Sequence, residues 1–169
     1  SNVSGVYQKP FVFDMSIKEN LSLIDSNFQN QIDACKRVGI HDKILSLPKG
    51  YNTVIGEEQH LLSDGEKQLL ALARALLSKS EILLFDEITS NIDPTTTTLI
   101  ANLLMDLKTD HTIIMITHKP EMMSIADRII VMENGKVECK GTNKEVYKKS
   151  LLYRELMSRT FASISNPEM

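Results

Sequence analysis

Two hydrophobic rhythms divide this chain. From Ser16 to Ser80 apolar residues recur mostly at helical spacing; after Ser80, short solid apolar runs alternate with helical stretches. Ahead of both, Val3 to Tyr7 reads as a short strand, and Gln8-Lys9-Pro10 forces an extended or turning path. Ser16-Ile17-Lys18-Glu19 has the S-x-x-E spacing of a capping box and predicts a helix start. Gln31 to Val38 is a second helical patch, and Leu47-Pro48-Lys49-Gly50-Tyr51-Asn52 is a turn-rich connector. Ser63 caps a further helix, with Leu69, Leu70, Leu72, Ala73, Leu76 and Leu77 at helical intervals.

Ile82 to Phe85 is an unbroken apolar run, suited to a central parallel strand covered on both faces. Pro94 to Leu107 predicts a helix, with Asp93 as N-cap and Pro94 at its first position. Thr112 to Thr117 and Arg128 to Met132 read as strands, and Asn134-Gly135 is a hairpin turn leading into Lys136–Lys140. A terminal helical stretch runs from Asn143 to about Phe161. Strands alternating with helices imply an α/β fold whose parallel sheet carries its site at the strand carboxyl ends. The helical block interrupting that pattern looks inserted.

Composition narrows the classes. At 169 residues and 42% apolar, the length favours one domain with one core. A net charge of −3 argues against a general nucleic-acid or anionic-membrane surface. Cys35 and Cys139 are isolated, which fits a reducing compartment, and His41, His60, His111 and His118 lack zinc spacing. No apolar run approaches the ~18–20 residues of a membrane span, and the amino terminus is no signal peptide. A soluble, cytosolic chain is expected.

The chemistry concentrates in Leu62 to Asp93. A strand delivering Asp86 and Glu87 side by side suits metal-assisted phosphoryl transfer: the first carboxylate can hold Mg²⁺ and the second can position or deprotonate water. Successive strand residues face opposite ways, so the pair is expected to straddle the strand end. Two carboxylates at a strand end are often only solvated, but the following loop, Ser90-Asn91-Ile92-Asp93, favours a site. Ser63-Asp64-Gly65-Glu66 is at least a capping box; a helix opened by Ser and Gly also aims amides and a hydroxyl at an anion. His118, just past a strand, is either an ordinary loop residue or a candidate contact for a γ-phosphate, whereas Gln8 alone says little. Met105, Met115, Met122, Met123 and Met132 read as core packing. No GxxxxGK[ST] phosphate loop occurs; at Gly135-Lys136, Val137 follows and Ile130 stands where the first Gly belongs.

Together these residues resemble the nucleotide-binding domain of ABC transporters over essentially the whole chain. Tyr7-Gln8 is similar to that family's glutamine loop, Leu62-Ser63-Asp64-Gly65-Glu66 to its LSGGQ signature, and Ile82 to Glu87 to Walker B. Ser90 to Asp93 resembles the D-loop and His118 the switch histidine. Thr53-Val54-Ile55-Gly56-Glu57 is similar to the X-loop of exporters; Phe13 to Asn20 and Gly141-Thr142 to Tyr153 also look like exporter sequence. The resemblance implies a partial RecA-like P-loop NTPase core, mostly parallel sheet, with an inserted helical subdomain. Residues 1–15 would hold a core strand and the glutamine loop, 16–80 the signature subdomain, and 81–169 the second half of the core with carboxyl-terminal helices. The Walker A loop and adenine-stacking aromatic belong upstream of residue 1.

It further implies ATP and Mg²⁺ as ligands. Asp86 helps hold the metal, Gln8 links the metal site to the membrane part, Glu87 polarises water, and His118 contacts the γ-phosphate. Ser63 and Gly65, within the Asp64- and Glu66-bearing signature, reach an ATP held by a second, head-to-tail domain, and Asp93 communicates across that interface. The transmembrane partner is met through the Gln8 and Glu57 loops, at the cytoplasmic face of the membrane, with no nucleic acid involved.

Three positions depart from the family: Asp64 replaces a Gly, Glu66 replaces Gln, and Leu69 stands where Arg is common. The added charge beside a phosphate raises two alternatives, a heterodimer with one weakened site or a tolerated variant in a homodimer. The expected function is the ATPase portion of an exporter, with these residues inactive by themselves; the alternative is an ABC-type ATPase acting on DNA or ribosomes without a membrane partner.

Overall fold

The computed structural model describes residues 2–56 and 61–164. These fall into two compact units that divide between Ile116 and Thr117.

The first unit is built on a parallel sheet. Strand β1 (Val3–Val6) opens it. A helical block follows: α1 (Ile17–Ser22), α2 (Phe28–Arg37), α3 (His41–Ser46) and α4 (Asp64–Leu77). Two short strands, β2 (Met15–Ser16) and β3 (Val54–Ile55), pair antiparallel within it. The chain then returns through β4 (Ile82–Asp86), α5 (Pro94–Leu107) and β5 (Thr112–Ile116). The order β1-β4-β5 puts β4 in the centre, parallel to both neighbours.

Helix starts follow the capping residues. Ser16 and Glu19 close a capping box at α1, and Asp93 with Pro94 opens α5 at the predicted position. Asn20, fully buried, donates to the carbonyls of Phe13, Met15 and Ser16 and accepts from the Phe13 amide. It thereby ties the segment after β1 to the helical block. The Ile17 amide donates to Thr53 O at 3.1 Å, bringing the two exporter-like segments, Phe13–Asn20 and Thr53–Gly56, together.

The central strand is buried on one face only, contrary to the two-face expectation. Leu83 and Phe85 are fully buried, while Ile82 and Leu84 are half-buried. In register with them, Val3 and Ile114 are 48% and 52% exposed, and Ile116, beside Asp86, is 54% exposed. The apolar run reflects a sheet whose second face carries hydrophobic side chains that no described element covers. The methionines also split: Met122 and Met123 are core, but Met105 and Met132 are exposed. Cys35 is buried, and burial pushes its thiol up to about 11, so it is unreactive at neutral pH.

The second unit holds α6 (Pro120–Ser124), the hairpin β6 (Ile129–Glu133) and β7 (Lys136–Gly141), then α7 (Asn143–Lys149) and α8 (Leu151–Ile164). Asn134 and Gly135 both take positive φ, 48° and 76°, as a type I′ turn requires. Its core gathers Met123, Ile129, Val131, Val146 and Tyr153. The single terminal helical stretch expected from the sequence is two helices, because Ser150 adopts an extended conformation between them.

Candidate functional site

The carboxyl end of β4 carries the two candidate carboxylates. Asp86 is the last strand residue, half-buried. Glu87 does not continue the alternation: its φ is 49°, the left-handed region that costs a non-glycine residue free energy. The expected straddling of the strand end is corrected accordingly. Two hydrogen bonds hold Glu87 there, its amide donating to Ile116 O at 2.9 Å and its carbonyl accepting from the Ser90 amide at 3.0 Å. The first fixes the residue to neighbouring β5, and the second closes the turn into the Ser90–Asp93 loop. Positive φ in a half-buried acid at a strand end is the kind of outlier that accompanies function.

Gln8 lies two residues beyond β1, whose end is adjacent to that of β4. Its Nε2 donates to Ser90 Oγ at 2.8 Å, so the glutamine and the loop after Glu87 are in direct contact. The neighbouring backbone is held from α4: Gln68, buried, donates from Nε2 to Tyr7 O at 3.2 Å, and Arg74 donates to Phe11 O at 2.7 Å. Gln68 and Arg74 have positioning roles that sequence reading missed. Six residues apart on α4, they share no helical face, so no periodicity marked them. A groove of ≈ 290 Å³ runs here, lined in part by Gln8, Asp64, Lys67, Gln68, Asn91 and Ile92.

The first turn of α4 is locked as a capping box. Ser63 Oγ accepts from the Glu66 amide at 3.2 Å, and Glu66 Oε2 accepts from the Ser63 amide at 2.7 Å. Ser63 is exposed and keeps its own hydroxyl proton for a further acceptor. Gly65 is buried, and a Cβ there would lie 3.3 Å from Thr96 Cγ2 and 3.5 Å from Ile92 Cγ2. Glycine thus lets the start of α4 approach the start of α5. Asp93 caps α5, its Oδ1 accepting from the Thr96 amide at 2.9 Å. That bond, with the Thr96 hydroxyl, holds the Asp93 carboxyl below its usual range. The cap's contribution is therefore fully present above about pH 4 and is lost only as pH falls through the lowered value.

Asp64 is mostly exposed, and Lys67 Nζ stands 3.9 Å from its Oδ1. Gln8, Asp86, Glu87, Ser90, Asp93 and the Ser63–Glu66 turn all belong to the first unit. His118 is exposed and belongs to the second, two residues after β5. Glu57 lies outside the described residues.

Among the described residues no group of three or more His, Cys, Asp and Glu forms a metal cage. Asp86 and the Gln8 amide oxygen are hard oxygen donors. One or two such ligands plus phosphate oxygens are what Mg²⁺ ordinarily takes from a nucleotide site. Among the described residues no helix is long and apolar enough to cross a membrane.

Comparison with known proteins bears on the family and the fold. A protein-family model described as "AAA domain, putative AbiEii toxin, Type IV TA system" matches residues 12–124, more than half of the chain. A probable ABC transporter ATP-binding/permease protein of Haemophilus influenzae is 39% identical over 138 residues, 80% of this chain and 25% of that protein. The mitochondrial potassium channel ATP-binding subunit of Rattus norvegicus is 35% identical over 167 residues, 98% of this chain and 23% of that protein. A solved structure of a bacterial Atm1-family ABC exporter with ATP bound superposes with a TM-score of 0.87 at 31% identity, covering 95% of this chain and 29% of that one. The chain spans about a quarter of the length of the curated relatives it matches. With an α/β fold, a parallel sheet ending in Asp86-Glu87, an AAA-domain family match and relatives of this kind, the chain belongs to the ATP-binding domains of ABC transporters.

Proposed function

We propose that these residues are the carboxyl-terminal portion of the ATP-hydrolysing domain of an ABC exporter, which couples ATP turnover to movement of a substrate across a membrane. The observation that carries this reading is Glu87, placed in strained backbone directly after Asp86 on the central parallel strand. In this reading Asp86 helps hold Mg²⁺ with Gln8 beside it, and the bound metal supplies charge neutralisation on the phosphates. Glu87 accepts a proton from, or orients, the attacking water. Ser63 and the amides of the Asp64-Gly65-Glu66 turn receive the γ-phosphate of an ATP held by a second, head-to-tail domain. His118 contacts a γ-phosphate, and Asp93 communicates across the interface.

The Gln8–Ser90 bond supports a link between the metal site and the loop leading to Asp93, and hence to the partner domain. The loops of Gln8 and Glu57 meet the transmembrane part at the cytoplasmic face. Lys67 Nζ lies 3.9 Å from the exposed Asp64, a solvent-screened pair that offsets little of the extra charge of this signature. A heterodimer with one weakened site and a tolerated variant in a homodimer both fit it.

The principal ligands of a triphosphate, a glycine-rich loop and its lysine, do not occur in these 169 residues. Calorimetry of the 169-residue chain with Mg-ATP is therefore expected to show no micromolar binding, whereas the complete protein binds and hydrolyses ATP. Saturable micromolar binding by the short chain contradicts this placement of the site. A complete protein without ATPase activity contradicts the function itself.

A further inference from the structure

Glu66 sets two demands against each other. An acid in the first turn of a helix suits the helix dipole and satisfies the Ser63 amide, but it also puts negative charge where a phosphate is to dock. The two carboxylate oxygens divide the work. Oε2 accepts from the Ser63 amide at 2.7 Å, and Oε1 faces Lys43 Nζ at 3.2 Å. Lys43 reaches across from α3, a separate element, whereas Lys67 pairs with Asp64 inside α4 itself.

The two acids of the turn are not equivalent. Glu66 is held on both oxygens and is 26% exposed, while Asp64 is 79% exposed with its lysine at 3.9 Å. The base of Lys43 is also fixed. Next to it in sequence, Ile44 is fully buried, and two residues earlier His41 Nδ1 shares a 2.9 Å hydrogen bond with the hydroxyl of buried Tyr51.

We propose that Lys43 is a positioning residue of the Ser63–Glu66 turn: it neutralises and orients Glu66 so that this carboxylate does not oppose a phosphate at the turn's donors. This rests on the reading that the turn receives the γ-phosphate of ATP. With Lys43 in place, Glu66 keeps its capping role and the Ser63 hydroxyl keeps its proton for the anion. Without Lys43, a carboxylate of full charge stands at the helix start and repels the incoming phosphate.

The test is a charge cycle in the complete protein, with ATP turnover measured against Mg-ATP concentration at low and high salt. Lys43→Met is expected to raise KM for ATP about fivefold or more at low salt, with kcat much less affected, and the difference should shrink as salt screens the charge. Lys43→Arg keeps the charge and is expected to restore KM to within about twofold of the parent. Combining Lys43→Met with Glu66→Gln should remove the KM defect, because the charge that Lys43 offsets has gone. A KM within about twofold of the parent in Lys43→Met overturns the proposal, and so does a double variant as impaired as Lys43→Met. Should Lys43→Met fail to fold, Lys43→Gln tested with and without Glu66→Gln gives the same two outcomes. A parent protein that turns over no ATP defeats the reading of the turn, and is told apart by the absence of any KM to compare.

Discussion

Glu87→Gln in the complete protein is expected to lower ATP turnover by 10²-fold or more while leaving ATP binding in place. The amide keeps the size and hydrogen-bonding shape of the side chain but cannot take a proton from water. Backbone strain at φ 49° is the same for both residues, so the turn held by Ile116 O and Ser90 N is preserved. Steady-state ATPase assays with a parallel binding measurement separate the two effects. A fall of less than about fivefold would assign the water to another residue.

The second large effect is on stability. Phe85 is fully buried on the central strand, in register with buried Val6 and with Met115. Phe85→Ala is expected to cost roughly 3–5 kcal/mol, from lost burial and from the cavity left behind. That is a large part of the ~5–15 kcal/mol stability of an ordinary domain. Because Asp86 follows directly, ATP turnover should fall with it. Urea unfolding of the complete protein's ATP-binding domain reads the change, and a loss under about 1 kcal/mol would mean that β4 does not organise the core.

Local signals carried most of the fold. Ser16, Ser63 and Asp93 announced their helices because a cap is a contact within three residues, readable without knowing what packs above. Asn134-Gly135 fixed the hairpin for the same reason. What the chain did not disclose depends on distant partners. The Ile82–Phe85 run indicated a strand, but not that Ile82 and Leu84 lie on the less covered face with exposed Ile114. The positive φ of Glu87 is set by its bond to Ile116 O, 29 positions on in sequence, and no residue type nearby signals it.

The site was legible as a set of positions and not as a set of contacts. Gln8 alone said little, and its meaning comes from the hydrogen bond to Ser90 across 82 positions. Gly65 read as an anion-binding glycine, yet a Cβ there would also crowd Thr96 Cγ2 at 3.3 Å. Lys43 carried no motif at all, since its partner Glu66 belongs to another helix.

The most direct test of the central claim is a structure of the complete protein carrying Glu87→Gln, determined with Mg-ATP. The account predicts that Asp86 is the residue holding Mg²⁺ and that residue 87 faces the attacking water. It also predicts that Ser63 and the amides of its turn bond the γ-phosphate of an ATP seated on the other domain. Nucleotide bound away from Asp86, or a Ser63 turn that faces no phosphate in the closed dimer, would contradict it.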